Sequence, residues 1–269
     1  MSRGGAIAVA PGFLVALAEA HDWCEALGHQ VVRSRHGLIV SDPAHSHLWA
    51  ANHMSGVRAS SPDEIEDALA DLDAAFAGSP YRVVDVDALT PPGFVARLPL
   101  EDFVEQPAVV LMTLEGPVAA GAPAQRLDIR EVASAADWED FRRLHRLDCA
   151  RAGGPLSDEV VEGLFHGLRQ KSGAGRFFLG CLDGRPCGYA AAITAPGGFG
   201  MVDEVFTLPA QRRRGVATAM IAHCVATLRA DGAGVAFLTA LASEHPKKLY
   251  ARLGFRPAML ARRWVKTVG

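Results

Sequence analysis

No run of apolar residues in this 269-residue sequence is long enough to cross a bilayer, and no Cys-x-x-Cys pair occurs in it. The five cysteines (Cys24, Cys149, Cys181, Cys187 and Cys224) are odd in number and do not alternate with histidines at ligand spacing. A disulfide framework and a structural zinc site are both disfavoured, and free thiols in a reducing cytoplasm are the simplest reading. Charge of either sign is not in excess. A net charge of -3 offers no electrostatic reason to expect nucleic acid or an anionic membrane as partner, although arginines do gather at Arg212, Arg213 and Arg214. Also missing are a G-x-x-x-x-G-K-[ST] loop, a G-x-G-x-x-G after a strand, and a G-x-S-x-G elbow. Asp85-x-Asp87 and His45-x-His47 each supply too few ligands for a metal and read as turn and surface positions. No metal is expected.

What is present is enough apolar material to bury a core. Hydrophobic residues make up 49% of the chain and charged residues 21%, which suits one large domain or two smaller ones. Arg3 and the apolar stretch from Ala6 to Ala18 imitate a signal peptide, but Pro11 and Gly12 interrupt it. Leu14, Leu17, Trp23 and Leu27 carry the apolar spacing onward, so a helix from Phe13 to Leu27 is the better reading. The stretch Gly116 to Gln125 (GPVAAGAPAQ) is rich in Gly and Pro and lacks an apolar period, as a linker does. It suggests units at 1–115 and 127–269, joined by 116–126.

In the second unit the pattern predicts a strand from Leu127 to Val132 and helices from Asp137 to Ala150 and after a Ser157 cap. Strands follow at Arg176 to Leu182, Arg185 to Thr194 and Phe199 to Leu208, the first two joined by an Asp183-Gly184 turn. A helix from Gly215 to Ala230, a strand from Val235 to Leu241, a short helix from Pro246 and strand-like residues from Phe255 complete it. The first unit is a fainter version of the same order. It has strands at Gln30 to Ser34, Gly37 to Val40, Leu48 to Val57, Tyr81 to Val86 and Val109 to Leu114, and a helix from the Ser61-Pro62-Asp63-Glu64 start. Two related units fit this order better than one continuous sheet.

The segment from Val202 to Ala217 (VDEVFTLPAQRRRGVA) takes a strand through an Arg-rich loop into Gly-x-Ala at a helix start. Helix N-termini present unpaired N–H groups and partial positive charge, and Gly215 and Ala217 would let a diphosphate approach the backbone. On its own the segment reads equally well as a surface loop before a helix. Further on, Leu249 to Phe255 reads LYARLGF.

Arg212-x-x-Gly215-x-Ala217 resembles the R/Q-x-x-G-x-G/A pyrophosphate loop of GNAT acetyltransferases, and Leu249-Tyr250-Ala251-Arg252-Leu253-Gly254-Phe255 is similar to that family's L-Y-x-x-L-G-F signature. Their order, with one helix and one strand between them, makes the pair specific where either alone is weak. The resemblance covers Leu127 to about Val265, and the first half only by element order. It implies an α/β tandem of GNAT-like domains, each a mixed, mostly antiparallel sheet flanked by helices. The first half, which lacks the loop, would be a degenerate partner or a wall of the acceptor site.

The activity so implied is N-acetylation of a small-molecule amine by acetyl-CoA, through direct attack in a ternary complex. The protein would be a monomer acting as a pseudo-dimer, or a homodimer. Glu204 would be the general base, and strand alternation would turn Asp203 away from the cleft. Because an ordinary Glu is too weak a base for an ammonium ion, Glu204 would need burial or a water relay. Tyr250 would protonate the departing sulfur. Val205, Phe206 and Thr207 would pair with the pantetheine arm, the Val205 amide polarising the carbonyl. Arg212, Arg213, Arg214, Gly215, Val216, Ala217 and Thr218 would hold the diphosphate. The family often has Asn where this chain has Ser243, seven residues before Tyr250, which leaves coenzyme geometry there open. The acceptor would sit at the junction of the halves, bounded by the Cys149 to Leu156 loop, with Asp148 and Arg151 as candidates for selecting its charge. The competing class is a non-catalytic module that holds acyl-CoA and regulates.

Overall fold

The computed structural model describes residues 11–119, 126–150, 156–243 and 246–268. Helix α1 (Pro11–Ala26) leads to strands β1 (Gln30–Arg33), β2 (Leu38–Ser41) and β3 (His53–Ser55), then α2 (Pro62–Ala75), β4 (Tyr81–Val86) and α3 (Pro92–Arg97). The short β5 (Val104–Glu105) and β6 (Val109–Leu114) precede the seam. After it come β7 (Leu127–Glu131), α4 (Ala135–Cys149), α5 (Asp158–Lys171), β8 (Gly175–Leu182), β9 (Arg185–Thr194) and β10 (Phe199–Thr207). The chain closes with α6 (Val216–Ala230), β11 (Val235–Leu241), α7 (Pro246–Arg252) and β12 (Arg256–Thr267). Arg151, Gly153, Gly154 and Pro155 of the expected acceptor loop, most of the linker, and the signal-like residues before Pro11 lie outside the described residues. No helix among the described residues is long and apolar enough to cross a membrane.

Local chemistry sets the helix starts. Ser61 with Glu64, and Ser134 with Asp137, form reciprocal capping boxes at α2 and α4, and Ser157 caps α5. Each hydroxyl accepts from an amide that the first turn cannot pair internally. The expected strand from Leu48 to Val57 shrinks to His53–Ser55. Asn52, 5% exposed, is the reason: its side-chain amide donates to the carbonyls of His45 (2.8 Å) and Leu48 (3.0 Å) and accepts from the Asp42 N–H (3.0 Å). Those bonds fold residues 48–52 into turns, which compete with strand pairing.

The described strands form one hydrogen-bonded path, β1-β2-β3-β4-β12-β6-β11-β10-β9-β8-β7, with β5 added beside β12. Pairing is antiparallel except at β3 with β4 and β10 with β11. The seam at 116–126 therefore divides the sequence but not the sheet. β6, counted in the first unit by the sequence, pairs with β11 on one side and β12 on the other. β12 pairs with β6 through Arg256–Ala261 and with β4 through Arg262–Thr267, so one strand serves both halves. Asp85 is not at a turn or on the surface. It lies on β4 and accepts from Arg263 of β12 at Nε (2.7 Å) and Nη2 (2.6 Å), an ion pair across that shared strand.

Side chains alternate across the sheet. On one face Met112, Ala190, Val202 and Leu238 pack with Met220, Ile221, Cys224 and Leu228 of α6. On the other face Leu111, Ile193, Met201 and Phe237 pack with Leu17 and Cys24 of α1. Helix α1, from the first half of the sequence, thus covers strands of the second half. Separate clusters form under α2 (Ile65, Leu72, Val84, Trp264) and under α4 and α5 (Trp138, Phe141, Phe165, Phe177). All five cysteines are buried and free.

Glycines let α6 approach the sheet. A Cβ on Gly180 would lie 2.9 Å from Met220 Sδ, and one on Gly200 would lie 2.7 Å from Leu228. Gly188 is more constrained, because its Cβ would lie 2.5 Å from the Phe206 carbonyl oxygen. Backbone cannot yield as a side-chain end can, so Gly188→Ala should lower unfolding free energy by about 1–3 kcal/mol. Denaturant titration of the variant checks this. An unchanged midpoint would mean that β9 and β10 are not held at that separation.

Candidate active site

β10 starts as an ordinary inner strand. Gly200 to Asp203 pair with β9 from Thr194 to Ala191, and the register then jumps to Phe206 opposite Tyr189. Glu204 and Val205 are left out of that ladder, and Glu204 takes φ 55, a left-handed conformation unusual for a side chain with a Cβ. On its other edge β10 pairs with β11 only over Phe199–Met201. Beyond Met201 the two parallel strands part, β11 continuing beside β6. An opening results, lined by the bulged part of β10. α6 follows β10 and α7 follows β11, so the two helices flank it.

The loop into α6 is shaped for an anion. Arg213 (φ 63) and Gly215 (φ 80) both take left-handed backbone, on either side of Arg214. Such alternation turns successive N–H groups to one side, and the first amides of α6 add theirs with the helix dipole. Arg212 folds back and donates from Nε to the Thr207 carbonyl (3.2 Å), which ties the loop to the end of β10. Arg212, Arg213 and Arg214 are exposed, Val216 is buried, and Ala217 and Thr218 are half-buried. Ser243 is exposed in the turn after β11. Tyr250 on α7 is 7% exposed and belongs to the apolar cluster that contains Leu238, Leu253 and Phe255.

The bulge also corrects the expectation that Asp203 faces away from Glu204. Both line a single cavity of about 200 Å³, together with Glu25, His29, His145 and Lys171. Period-2 alternation fails there because Glu204 is not extended. Burial pushes the Glu204 carboxyl up to about 8, the charges of Asp203 and Asp148 adding to it while Lys171 opposes. Burial likewise raises Asp203, whose carboxylate accepts from the Glu204 N–H (2.9 Å) and lies 4.0 Å from the Lys171 ammonium. Burial works against charge on Lys171 too, but Glu25, Asp203 and Glu204 outweigh it and hold Lys171 protonated. Asp148 at the end of α4 accepts from the Tyr189 hydroxyl (2.9 Å). His145, 6% exposed, faces the cavity with its Nδ1 unpartnered, and burial keeps it neutral by lowering its pKa.

The sequence reading passed over Lys171, Glu25 and His145. Lys171 stands in the last turn of an amphipathic helix, where a basic residue is ordinarily just a match for the helix dipole. Only the packing of α1 across the sheet brings Glu25 to it, and nothing local signals that.

Residues 138–255 match the family model described as the acetyltransferase (GNAT) family. The chain contains a GNAT acetyltransferase domain. The whole chain follows a fold already seen in solved structures. A GCN5-related N-acetyltransferase from Kribbella flavida superposes with a TM-score of 0.71 over 97% of this chain and 98% of that one, at 20% identity. A tandem GNAT protein from the clavulanic acid biosynthesis pathway gives 0.61 over 89% and 82%, at 15% identity. A GCN5-related N-acetyltransferase from Sphaerobacter thermophilus gives 0.59 over 96% and 92%, at 13%. At these identities the likeness is one of fold. No curated protein matches the sequence.

The raised Glu204 carboxyl has a consequence for this GNAT domain's stability. The folded state keeps that proton to a higher pH than the unfolded chain does. The resulting contribution is complete below the ordinary Glu value of 4.5 and disappears as pH rises through about 8. Glu204→Gln removes the dependence. Its melting temperature should fall less than the wild type's between pH 5 and 9, measured by calorimetry at fixed ionic strength. Parallel curves would contradict the burial described.

Proposed function

We propose that the protein transfers an acetyl group from acetyl-CoA to an amine of a small-molecule acceptor, by direct attack within a ternary complex. The observation that carries this reading is the bulge at Glu204 and Val205, which opens one edge of β10 and turns a proton-holding carboxyl into the cavity beside it. In this reading residues 127–269 supply coenzyme binding, and residues 1–115 supply part of the acceptor wall through Glu25, His29, Leu48 and Ala51.

The residues suit the coenzyme. Amides from Arg213 to Thr218 would hold the diphosphate, with Arg212, Arg213 and Arg214 adding charge. Val205, Phe206 and Thr207 would pair with the pantetheine arm in place of a strand. Ser243 would lie near it where the family often has Asn. Bound acetyl-CoA supplies an activated thioester carbonyl. Glu204 accepts a proton from the acceptor's ammonium, directly or through water, leaving a neutral amine to attack. The Val205 N–H, free of the β9 ladder, donates to the carbonyl oxygen as charge develops there. As the C–S bond breaks, Tyr250 gives its hydroxyl proton to the leaving sulfur. The proton shed by the nitrogen as it becomes an amide returns through water to restore the phenol. With Glu204 near 8, roughly a tenth of it is ionised at pH 7, a compromise between availability and basicity that a normal Glu cannot reach.

Gly215→Glu should abolish acetyl-CoA binding, since the variant adds a carboxylate and a Cβ at a left-handed position inside the anion loop. Isothermal calorimetry decides, and retained affinity would remove the loop from the proposal. Glu204→Gln should lower kcat on the order of 10²-fold near neutral pH, with the deficit narrowing at high pH where free amine is plentiful. Tyr250→Phe should slow the chemical step with coenzyme affinity nearly intact. Wild-type rates in both variants would overturn the two residue roles, whereas coenzyme binding without turnover in the unaltered chain would favour a module that only holds acyl-CoA.

A further inference from the structure

A second chamber, of about 280 Å³, lies between the halves and is lined by residues of α1, β4 and β12. Glu25 lines both this chamber and the cavity of Glu204. Asp22 stands three residues before Glu25 on α1, so the two carboxylates share a helix face and are neighbours on it.

The chamber's carboxylates are Asp22, Glu25, Asp85 and Asp87. Three have cationic neighbours. Arg263 binds Asp85 at 2.6 Å, Arg58 lies 3.3 Å from Asp87, and Glu25 is held ionised by Lys171 and His21 against its burial. The chamber's other cation, Arg262, is turned to Glu105 at 3.7 Å. Asp22 is different. Among the described residues no cationic nitrogen lies within ion-pair distance of it, and burial pushes it up to about 7 despite nearby His21. The Ser55 hydroxyl, 2% exposed, lies against the carboxylate and favours its charged form, less strongly than burial opposes it. Gly56 keeps the space over the carboxylate clear, since a Cβ there would sit 3.1 Å from Asp22 Oδ2. Trp49 contributes an aromatic wall. A carboxylate with no cationic nitrogen at ion-pair distance, facing an open volume with an aromatic wall, describes a place for an ammonium group.

We propose that this chamber receives a second cationic group of the acceptor while its other amine reacts beside Glu204, so that the acceptor is a linear diamine or a longer polyamine. The proposal rests on the acetyltransferase reading and names the substrate class of that same site. The ammonium donates to Asp22 beside the Trp49 wall, and its methylene chain passes Glu25.

The test uses the full chain with acetyl-CoA at pH 8, where Asp22 is largely ionised. Linear diamines of three to eight carbons are compared with monoamines of equal length. The expected result is an optimum in chain length and a kcat/KM for the best diamine about tenfold above its monoamine, as one partly buried ion pair would give. Asp22→Asn should bring that ratio near one, by raising the diamine KM. Asp22→Lys, which supplies the cation from the chain itself, should do the same, and thermal melts of both variants verify folding. Equal rates for diamines and monoamines, or a ratio that survives both substitutions, would overturn the proposal. If no amine is acetylated, the acetyltransferase reading fails. Calorimetric binding of the diamines, lost in Asp22→Asn, then still supports the chamber as a cation site, and its absence overturns that as well.

Discussion

A strand that slips register for two residues exposes amides that its neighbour can no longer satisfy. In β10 the slip falls at Glu204 and Val205, just where the strand also parts from β11. Unpaired backbone next to an interior is expensive unless something else bonds to it. Here part of the demand is met internally, by Asp203 accepting from the Glu204 N–H. Nearly every other feature of the site follows from this irregularity. It aims two adjacent carboxyls at one cavity, where burial first and the like charge of Asp203 second lift the Glu204 carboxyl into the range where it can exchange protons near neutral pH.

Tolerance of that charge depends on Lys171. Three carboxyls converge on one buried ammonium, and without it their mutual repulsion would have to be relieved by protonation. Lys171 ends α5, Glu25 lies on α1 and Asp203 on β10. The cluster therefore holds together three elements whose sequence positions are far apart. The apolar packing of α1 across Phe199, Met201 and Phe237 supplies the energy that brings Glu25 there.

Much of the fold could be read locally. Capping boxes at Ser61 and Ser134 mark helix starts in three or four residues, and the Asp183-Gly184 turn marks a hairpin. The two short motifs around Gly215 and Tyr250 pointed to the GNAT family because their spacing encodes a strand, a helix and another strand. What escaped was whatever depends on a distant partner. Asn52 overrides the apolar run from Leu48 by bonding across a turn. Alternation misassigned Asp203, since a bulge leaves no mark in an apolar/polar pattern. The composition break at Gly116 suggested two closed units, yet β6 before it and α1 far before it are built into the strands beyond it.

Strand order has a further meaning for how the chain reaches this state. β12 comes last in sequence and lies in the middle of the path, between β4 and β6. Until residues 256–267 emerge, β4 and β6 each retain an unpaired edge, and the ion pair between Asp85 and Arg263 cannot form. Non-local pairing of this kind slows folding and leaves strand edges exposed to misassembly meanwhile. On a ribosome, the sheet would stay in two pieces until residues 256–267 are made and would then be joined by β12.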